Sequence, residues 1–352
     1  MTKSPCCRPS LAADQKLGAR TAALRGRRPR SIAHSVTPDV VGMIQRGERP
    51  VLTTFGKFVT VRGSPPSSFR IFTARASDKF VNNISLVVEP FRLKLRRDAL
   101  ARASVATPSD EPIDPDTPPL LFLMVYRMKN VQLVKLLLQQ VGADTDVRLW
   151  ALDEIAPELS SHTLGCGPGV RFSHLNRLYN EAPIREGSWV ILADDDVFFS
   201  RGSLGKTINL MKRAGFSLAQ PGQSAFGWWS SLFIVARPFH VARDTNYVEQ
   251  GPLVIADPEF SKQIFPLPDD NDMGWGIEAE WFRLGEGRFR AGIIDECHMV
   301  HWSRSATSYT AEHEGERMQA RLSRSGVGSI WELQSANECW WKWRQSPPWK
   351  GL

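Results

Sequence analysis

Trp189-Val-Ile-Leu-Ala-Asp-Asp-Asp-Val-Phe-Phe199 joins a continuous apolar run to three adjacent carboxylates. A short apolar run without alternation is typical of a strand that is buried on both faces of a parallel sheet. Adjacent carboxylates at the end of such a strand repel one another unless a positive group lies between them. Hard divalent ions such as Mg²⁺ and Mn²⁺ bind carboxylate oxygens, so the stretch predicts a metal site at the strand's carboxyl end. The alternative is a solvated acidic turn.

Strand and helix patterns alternate on both sides of this stretch. Leu120–Tyr126 is another continuous apolar run, and residues 147–152 form a further strand pattern. Apolar residues at helical spacing follow at Val131, Val134, Leu137, Leu138 and Val141, and again at Leu204, Ile208 and Met211. This alternation predicts an α/β fold with a doubly wound, Rossmann-like sheet and a ligand in the crevice at the carboxyl ends of its strands.

Composition shifts along the chain predict its domain organisation. Prolines and acidic residues at 108–119 are typical of a linker, so we expect the main domain at 120–310. Residues 1–45 form a basic arm that we expect to be disordered, and a transit peptide is the alternative. Short alternations near 57–61 and 84–88 predict strands in a small accessory segment, 46–107. A tryptophan-rich tail occupies 311–352.

Overall composition excludes some classes of protein. Hydrophobic residues make up 42% and charged residues 23% of the 352 residues, as in ordinary globular domains. No apolar run is long enough for a membrane span. The five cysteines are an odd number at scattered positions, which indicates a reducing compartment, and we expect a cytoplasmic protein.

The tail combines tryptophans with Lys342, Arg344 and Lys350. Tryptophan beside basic residues favours a membrane interface, so a peripheral membrane contact is one interpretation. The other interpretation is a tail that packs onto the domain or closes over the acceptor site.

The acidic triplet resembles the DxD motif of GT-A-fold glycosyltransferases of the family-2-like type, which have a mixed sheet and bind nucleotide sugars. In that family the last aspartate binds the metal on the diphosphate, and the first lies near the ribose. The resemblance therefore implies that Asp196 is a metal ligand, and that Asp194 lies at the ribose side and in the metal site. Asp195 could serve either role, and the implied metal is Mn²⁺ or Mg²⁺.

One further segment resembles the nucleotide-binding side of that family. In Gly165-Cys-Gly-Pro-Gly-Val-Arg-Phe-Ser-His-Leu-Asn176, glycines permit close approach to a phosphate, and Arg171 can form a forked contact with it. The resemblance also implies a nucleotide-side role for Asn176, and it leaves Asp153 or Glu154 as the residue that contacts the base. The alternative is a Gly/Pro turn ahead of a helix.

The segment from Asp270 to Trp281 resembles the acceptor side of the same enzymes. The resemblance implies that Glu278 is the general base, with Glu280 in reserve, and that the acceptor-binding residues are Asp272, Trp275, Trp228 and Trp229. An amphipathic helix with its glutamates in solvent fits the same residues, and adjacent tryptophans are as often core.

A strand that ends in two histidines follows, and the resemblance implies His301 as a metal ligand, with His298 as the alternative.

Together these motifs imply a metal-dependent glycosyltransferase of the hexosyltransferase type. It would transfer a sugar from a nucleotide-diphosphate donor to a saccharide or lipid-linked acceptor, with inversion. One alternative is a haloacid-dehalogenase-like phosphatase with Asp194 as nucleophile, although Phe198 stands where that motif has Thr or Val. A second alternative is a non-catalytic nucleotide-binding or nucleic-acid-binding protein. Residues 120–302 resemble no base-reading module, so we do not expect a nucleic-acid partner.

Overall fold

The computed structural model describes residues 50–52, 58–60, 75–105, 116–268, 274–303 and 311–341. The chain divides into two compact units, Met1–Arg92 and Leu93–Leu352. In the first unit, strand β1 (Pro50–Leu52) pairs antiparallel with β2 (Phe58–Thr60). The predicted basic arm, 1–45, and most of the predicted linker, 108–119, lie outside the described residues.

Helix α1 (Arg75–Val105) begins in the first unit and ends in the second. It includes residues 84–88, for which alternation predicted a strand, and that prediction is wrong. Phe80, Ile84, Val87 and Phe91 also recur at spacings of three and four, which is the period of a helix. Five residues are too few to distinguish the two periods, and the longer helical repeat prevails.

The second unit contains one large mixed sheet. Its strands are β3 (Leu120–Tyr126), β4 (Asp146–Ala151), β5 (Thr163–Cys166), β6 (Trp189–Ala193), β7 (Val197–Arg201), β8 (Leu218–Gln223), β9 (His240–Thr245), β10 (Leu253–Ala256), β11 (Ala291–His301) and β12 (Ala336–Trp341). Its helices, besides the end of α1, are α2 (Val131–Leu138), α3 (Arg171–Asn180), α4 (Leu204–Ala214), α5 (Pro258–Ile264), α6 (Ile277–Gly285), α7 (Ala311–Arg324) and α8 (Ile330–Leu333).

The strand order across the sheet is β12-β9-β11-β8-β10-β6-β3-β4-β5, and β7 pairs with the end of β11. Strands β6, β3, β4 and β5 are mutually parallel, whereas β10 runs antiparallel to both of its neighbours, β6 and β8. Strand β11 runs parallel to β8. The strands that point the same way as β6 therefore end at one edge of the sheet, which is where an α/β fold places its ligand.

Helices cover both faces of this sheet. Phe122 of β3 belongs to a buried cluster with Ile208 of α4. Its neighbour Leu123 belongs to a second cluster, with Phe172 of α3 and Trp281 of α6. Alternate side chains of β3 therefore pack against different helix layers, because successive residues of a strand point to opposite faces. The prediction of an α/β fold with a doubly wound mixed sheet is confirmed.

The region predicted as a tryptophan-rich tail contributes to the sheet as far as residue 341. Strand β12 pairs antiparallel with β9 at the sheet edge. Trp340 is buried, and its ring meets the ring of Phe216 edge-on at a centroid distance of 5.2 Å. Packing onto the domain, one of the two interpretations of the tail, holds for this part, whereas residues 342–352 lie outside the described part of the chain. None of the described helices is long and apolar enough to cross a membrane.

Candidate functional site

Asp194, Asp196 and His301 converge at the edge where β6 and β11 end. The acidic triplet follows β6, and β7 then pairs antiparallel with the end of β11, so that Val197 lies opposite His301. One potential ligand atom of each residue lies within 4.8 Å of those of the other two. The pairing of β7 with β11 thus brings together residues that are more than a hundred positions apart in sequence.

The end of β11 holds Asp196 in place. His301 Nε2 lies 3.1 Å from Asp196 Oδ1, and the Ser303 N–H donates to Asp196 Oδ2 at 3.1 Å. Burial alone would raise the pKa of Asp196, but hydrogen bonds from His301 and Ser303 lower it. Burial alone would lower the pKa of His301, but its hydrogen bond and charge attraction to Asp196 raise it to about 9. The raised pKa of His301 and the lowered pKa of Asp196 thus share one cause, the hydrogen bond and charge attraction between the two side chains.

Asp195 is not among the residues whose ligand atoms converge. It is buried, and its Oδ2 accepts a hydrogen bond of 2.7 Å from the Arg127 N–H, just after β3. Burial raises the pKa of Asp195 to about 6, and the charge of Asp196 adds to this rise. The contact of Asp195 links the ends of β3 and β6.

Arg171 is the first residue of α3, and its guanidinium lies beside Asp194. Arg171 Nη2 is 2.8 Å from Asp194 Oδ1, and Arg171 Nη1 donates to Gln250 Oε1 at 2.5 Å. The glycine-rich loop that leads to α3 contains Gly169, whose φ of 155° lies in a region that side chains rarely adopt. A Cβ at Gly169 would also lie 2.6 Å from His174 Nε2, so this close turn requires glycine.

Asn176 and Asp153, both predicted to lie on the nucleotide side, make backbone contacts. The Asn176 side chain donates to the Leu267 carbonyl and accepts from the Leu267 N–H, each at 2.7 Å. Asp153 accepts from the N–H groups of Met128 and Glu154. Asn176 thus fixes the segment after α5, and Asp153 fixes the turn after β3, while their nucleotide roles stay predictions.

Glu278, at the start of α6, is buried with 6% of its surface exposed. Its Oε2 accepts from the Gly276 N–H at 3.1 Å, and its Oε1 accepts from the Gln250 N–H at 3.3 Å. Burial raises the pKa of Glu278 to about 7, although these backbone hydrogen bonds act in the opposite direction. Because Gln250 also contacts Arg171, hydrogen bonds and one ion pair connect Glu278 to Asp194.

Glu249 is a half-buried carboxyl at this site to which the sequence reasoning gave no individual role. Its Oε2 accepts from Gln223 Nε2 at 2.8 Å. Burial raises the pKa of Glu249 to about 8, against a hydrogen bond from Ser230. The residues after it lead into β10, whose first residue pairs with Ala193 of β6. The sequence shows only a glutamate shortly before an apolar run. The antiparallel pairing of β10 with β6 is what places this glutamate beside Asp194.

The remaining predicted acceptor residues differ in their surroundings. Glu280 pairs with Arg321 at 2.9 Å and with Arg324 at 3.3 Å, both on α7. Trp275 is half-buried, and Asp272 lies outside the described residues. The carboxylate of Glu280 is therefore engaged in ion pairs between two helices.

The two adjacent tryptophans follow β8. The backbone N–H of Trp228 donates to the His301 carbonyl at 3.0 Å, and the Arg96 guanidinium lies 5.4 Å from the centre of the Trp228 ring. Trp229 packs against a buried cluster that includes Tyr247 and donates its indole N–H to the Ala225 carbonyl. Trp228 thus contacts the strand end that carries the metal-ligand candidate.

No protein-family model matches the chain, and no curated protein matches it. Among solved structures, the chain is similar to GalNAc-T7 with UDP, GalNAc and Mn²⁺, at 10% identity over 61% of this chain and 54% of that one, with a TM-score of 0.37. It is also similar to residues 1–349 of S. aureus TarS in complex with UDP-GlcNAc, at 10% identity over 58% of this chain and 66% of that one, with a TM-score of 0.41.

The chain thus spans 54% and 66% of the length of these two structures. Both are GT-A glycosyltransferases, the class that the sequence resembles.

Proposed function

We propose that this chain is a metal-dependent glycosyltransferase that transfers a sugar from a nucleotide-diphosphate donor to a saccharide or lipid-linked acceptor. The observation that carries this proposal is the convergence of Asp194, Asp196 and His301, with ligand atoms within 4.8 Å, at the carboxyl edge of the sheet. A residue that can bind phosphate, Arg171, lies directly beside this cluster. Nucleotides bind at this edge in doubly wound folds.

The donor set fits a divalent ion. Two carboxylates supply the hard oxygen ligands that Mg²⁺ and Mn²⁺ prefer, and an imidazole nitrogen shifts the preference from Mg²⁺ towards Mn²⁺. A bound ion would stabilise the negative charge that develops on the leaving diphosphate. Arg171 would bind the same diphosphate through its planar guanidinium, which matches phosphate oxygens.

Glu278 is our candidate for the general base. A base works best when its pKa lies near the operating pH, and burial raises the pKa of Glu278 to about 7. Its carboxylate would accept the proton of an acceptor hydroxyl, and the hydroxyl oxygen would then attack the anomeric carbon directly. Direct attack gives inversion, and hexosyl transfer is the type of reaction we propose.

Trp228 and Trp275 are the aromatic side chains that we assign to the acceptor. Both are half-buried, and Trp228 is tied to the His301 carbonyl. A sugar ring of the acceptor would stack on these indole rings. A cytoplasmic location, and a peripheral membrane contact through the basic residues after 341, also stay proposals.

Thermal unfolding with a panel of nucleotide sugars tests this function. Purified protein would be titrated with UDP, GDP, CDP and dTDP sugars, with and without Mn²⁺. A ligand that binds only the folded state raises the unfolding midpoint by mass action. We expect one nucleotide to stabilise the protein only when Mn²⁺ is present.

Two asparagine substitutions complete this experiment. Asp196→Asn removes a ligand, and Asp144→Asn removes the same charge at an exposed position. The metal-dependent shift should disappear in Asp196→Asn and persist in Asp144→Asn. Absence of a shift with every donor would refute the transferase proposal.

A further inference from the structure

Two basic side chains of the protein itself contact the acidic cluster. His301 lies 3.1 Å from Asp196, and Arg171 lies 2.8 Å from Asp194. Asp194 is thus paired with a permanently charged guanidinium, and Asp196 is in contact with an imidazole. A divalent ion that binds both carboxylates has to replace both of these interactions.

The surroundings of Asp194 leave its carboxylate little freedom. Oδ1 faces the Arg171 guanidinium, while Oδ2 faces the backbone at Gly251, where an added Cβ would lie 2.8 Å away. The Arg171 and Asp194 side chains are 16% and 25% exposed. A partly buried ion pair is screened less by salt than a surface pair, so it competes effectively with an added cation.

The contacts of Arg171 leave one of its guanidinium nitrogens, Nη2, able to donate a further hydrogen bond. Nη1 is held by Gln250 Oε1, but Nη2 is buried and, within the described part of the chain, has no acceptor in hydrogen-bonding geometry. Nη2 therefore has a charge partner in Asp194 without a well-directed hydrogen bond. A buried N–H group in this state gains when an oxygen ligand such as phosphate arrives.

We propose that the Arg171 guanidinium competes with the metal ion for the carboxylate of Asp194. Without the ion, the guanidinium neutralises Asp194. When the ion and the nucleotide bind together, the guanidinium leaves Asp194 and binds the diphosphate instead. This inference rests on the proposed function. Arg171 would then have opposite effects on two affinities. Its guanidinium weakens the binding of the ion alone and strengthens the binding of the diphosphate. The ion and the nucleotide then bind with positive coupling, since the diphosphate draws Arg171 from the carboxylate that the ion needs.

Calorimetric titration with Mn²⁺ and UDP as probes tests the inference, with GDP as a second nucleotide. Three titrations are needed for each variant: Mn²⁺ alone, nucleotide alone, and nucleotide at saturating Mn²⁺. Arg171→Gln should bind Mn²⁺ alone about tenfold more tightly than the wild type and bind the Mn²⁺–nucleotide pair more weakly, with most of the coupling lost.

Arg177→Gln is the matched control. It removes the same charge from the same helix, and Arg177 is exposed, with its guanidinium over the Trp150 ring. Its Mn²⁺ affinity should stay within about twofold of the wild-type value, because exposed charges at a distance are screened. Arg171→Lys is a second variant that keeps the charge for the case in which Arg171→Gln fails to fold, and it should retain the weak Mn²⁺ binding of the wild type.

The outcomes separate this inference from the function on which it rests. Tighter Mn²⁺ binding in Arg171→Gln, with Arg177→Gln unchanged, supports the inference. Equal Mn²⁺ affinity in the wild type and Arg171→Gln overturns it and leaves the proposed function standing. A wild type and an Arg171→Gln variant that bind no Mn²⁺, with or without nucleotide, overturn both.

Discussion

Glu278 should make the metal-free protein less stable as the pH rises from about 5 to about 7. The pKa of Glu278 is raised from 4.5 to about 7 in the folded chain. Between these values the unfolded chain has released the proton and the folded chain still holds it. Stability then falls by about 1.4 kcal/mol for each pH unit, because folding requires the proton to be taken up again.

The structure gives the size of this effect. Two pH units within the window correspond to about 3 kcal/mol for Glu278. Glu278→Gln cannot ionise, so it lacks this loss. It also replaces one acceptor oxygen with an amide NH₂ group, which removes a backbone hydrogen bond and costs about 1 kcal/mol at every pH. The substitution should therefore destabilise the protein at pH 5 and be neutral or stabilising at pH 7.

Urea unfolding followed by tryptophan fluorescence, in the presence of a chelator, measures this difference. Glu280→Gln is the control, since Glu280 lies on the same helix but is paired with Arg321 and Arg324. Its stability should follow the pH dependence of the wild type. Parallel stability curves for the wild type and Glu278→Gln across this pH range would refute the reasoning.

Two further substitutions test other contacts. Asp295 and Arg243 form a fully buried ion pair with contacts of 2.8 and 3.0 Å. Asp295→Asn leaves the buried guanidinium without its counter-charge, so it should lower the free energy of unfolding in urea by about 3–5 kcal/mol. A loss below about 1 kcal/mol would contradict this. Gly251→Ala places a Cβ 2.8 Å from Asp194 Oδ2, so it should weaken Mn²⁺ binding roughly tenfold in calorimetry. The control Gly142→Ala, whose Cβ meets no atom within 4 Å, should leave Mn²⁺ binding unchanged. Equal affinities in the two variants would show that Asp194 does not bind the ion.

The sequence predicts best those parts of the fold where one local pattern is sufficient. The apolar runs at Leu120–Tyr126 and Trp189–Ala193 are strands β3 and β6, because strands buried on both faces need continuous apolar side chains. The acidic triplet at the end of β6 follows from the same pattern. The prediction of His301 as a metal ligand came from the order of motifs in the resemblance. The structure places the His301 imidazole beside Asp196.

Features that depend on distant pairing could not be predicted in this way. Glu249 reaches the site only because β10 runs antiparallel to β6, and the sequence does not reveal that direction. The side chains of Asp195 and Asn176 contact backbone groups far away in sequence, and the residue types alone do not reveal these partners. The pattern of a motif gives the residue type at a position, whereas the direction of the side chain depends on the tertiary structure.

Pulsed electron paramagnetic resonance of Mn²⁺ bound together with a nucleotide diphosphate tests the central claim most directly, because it detects which nuclei lie next to the ion. If Asp194, Asp196 and His301 hold the ion on the diphosphate, the wild-type spectrum should show nitrogen and phosphorus couplings to the same Mn²⁺. His301→Gln should lose the nitrogen coupling, and Asp196→Asn should lose the bound ion. Phosphorus coupling that persists unchanged in both variants, or a wild type that binds no Mn²⁺ with any nucleotide, would contradict the account.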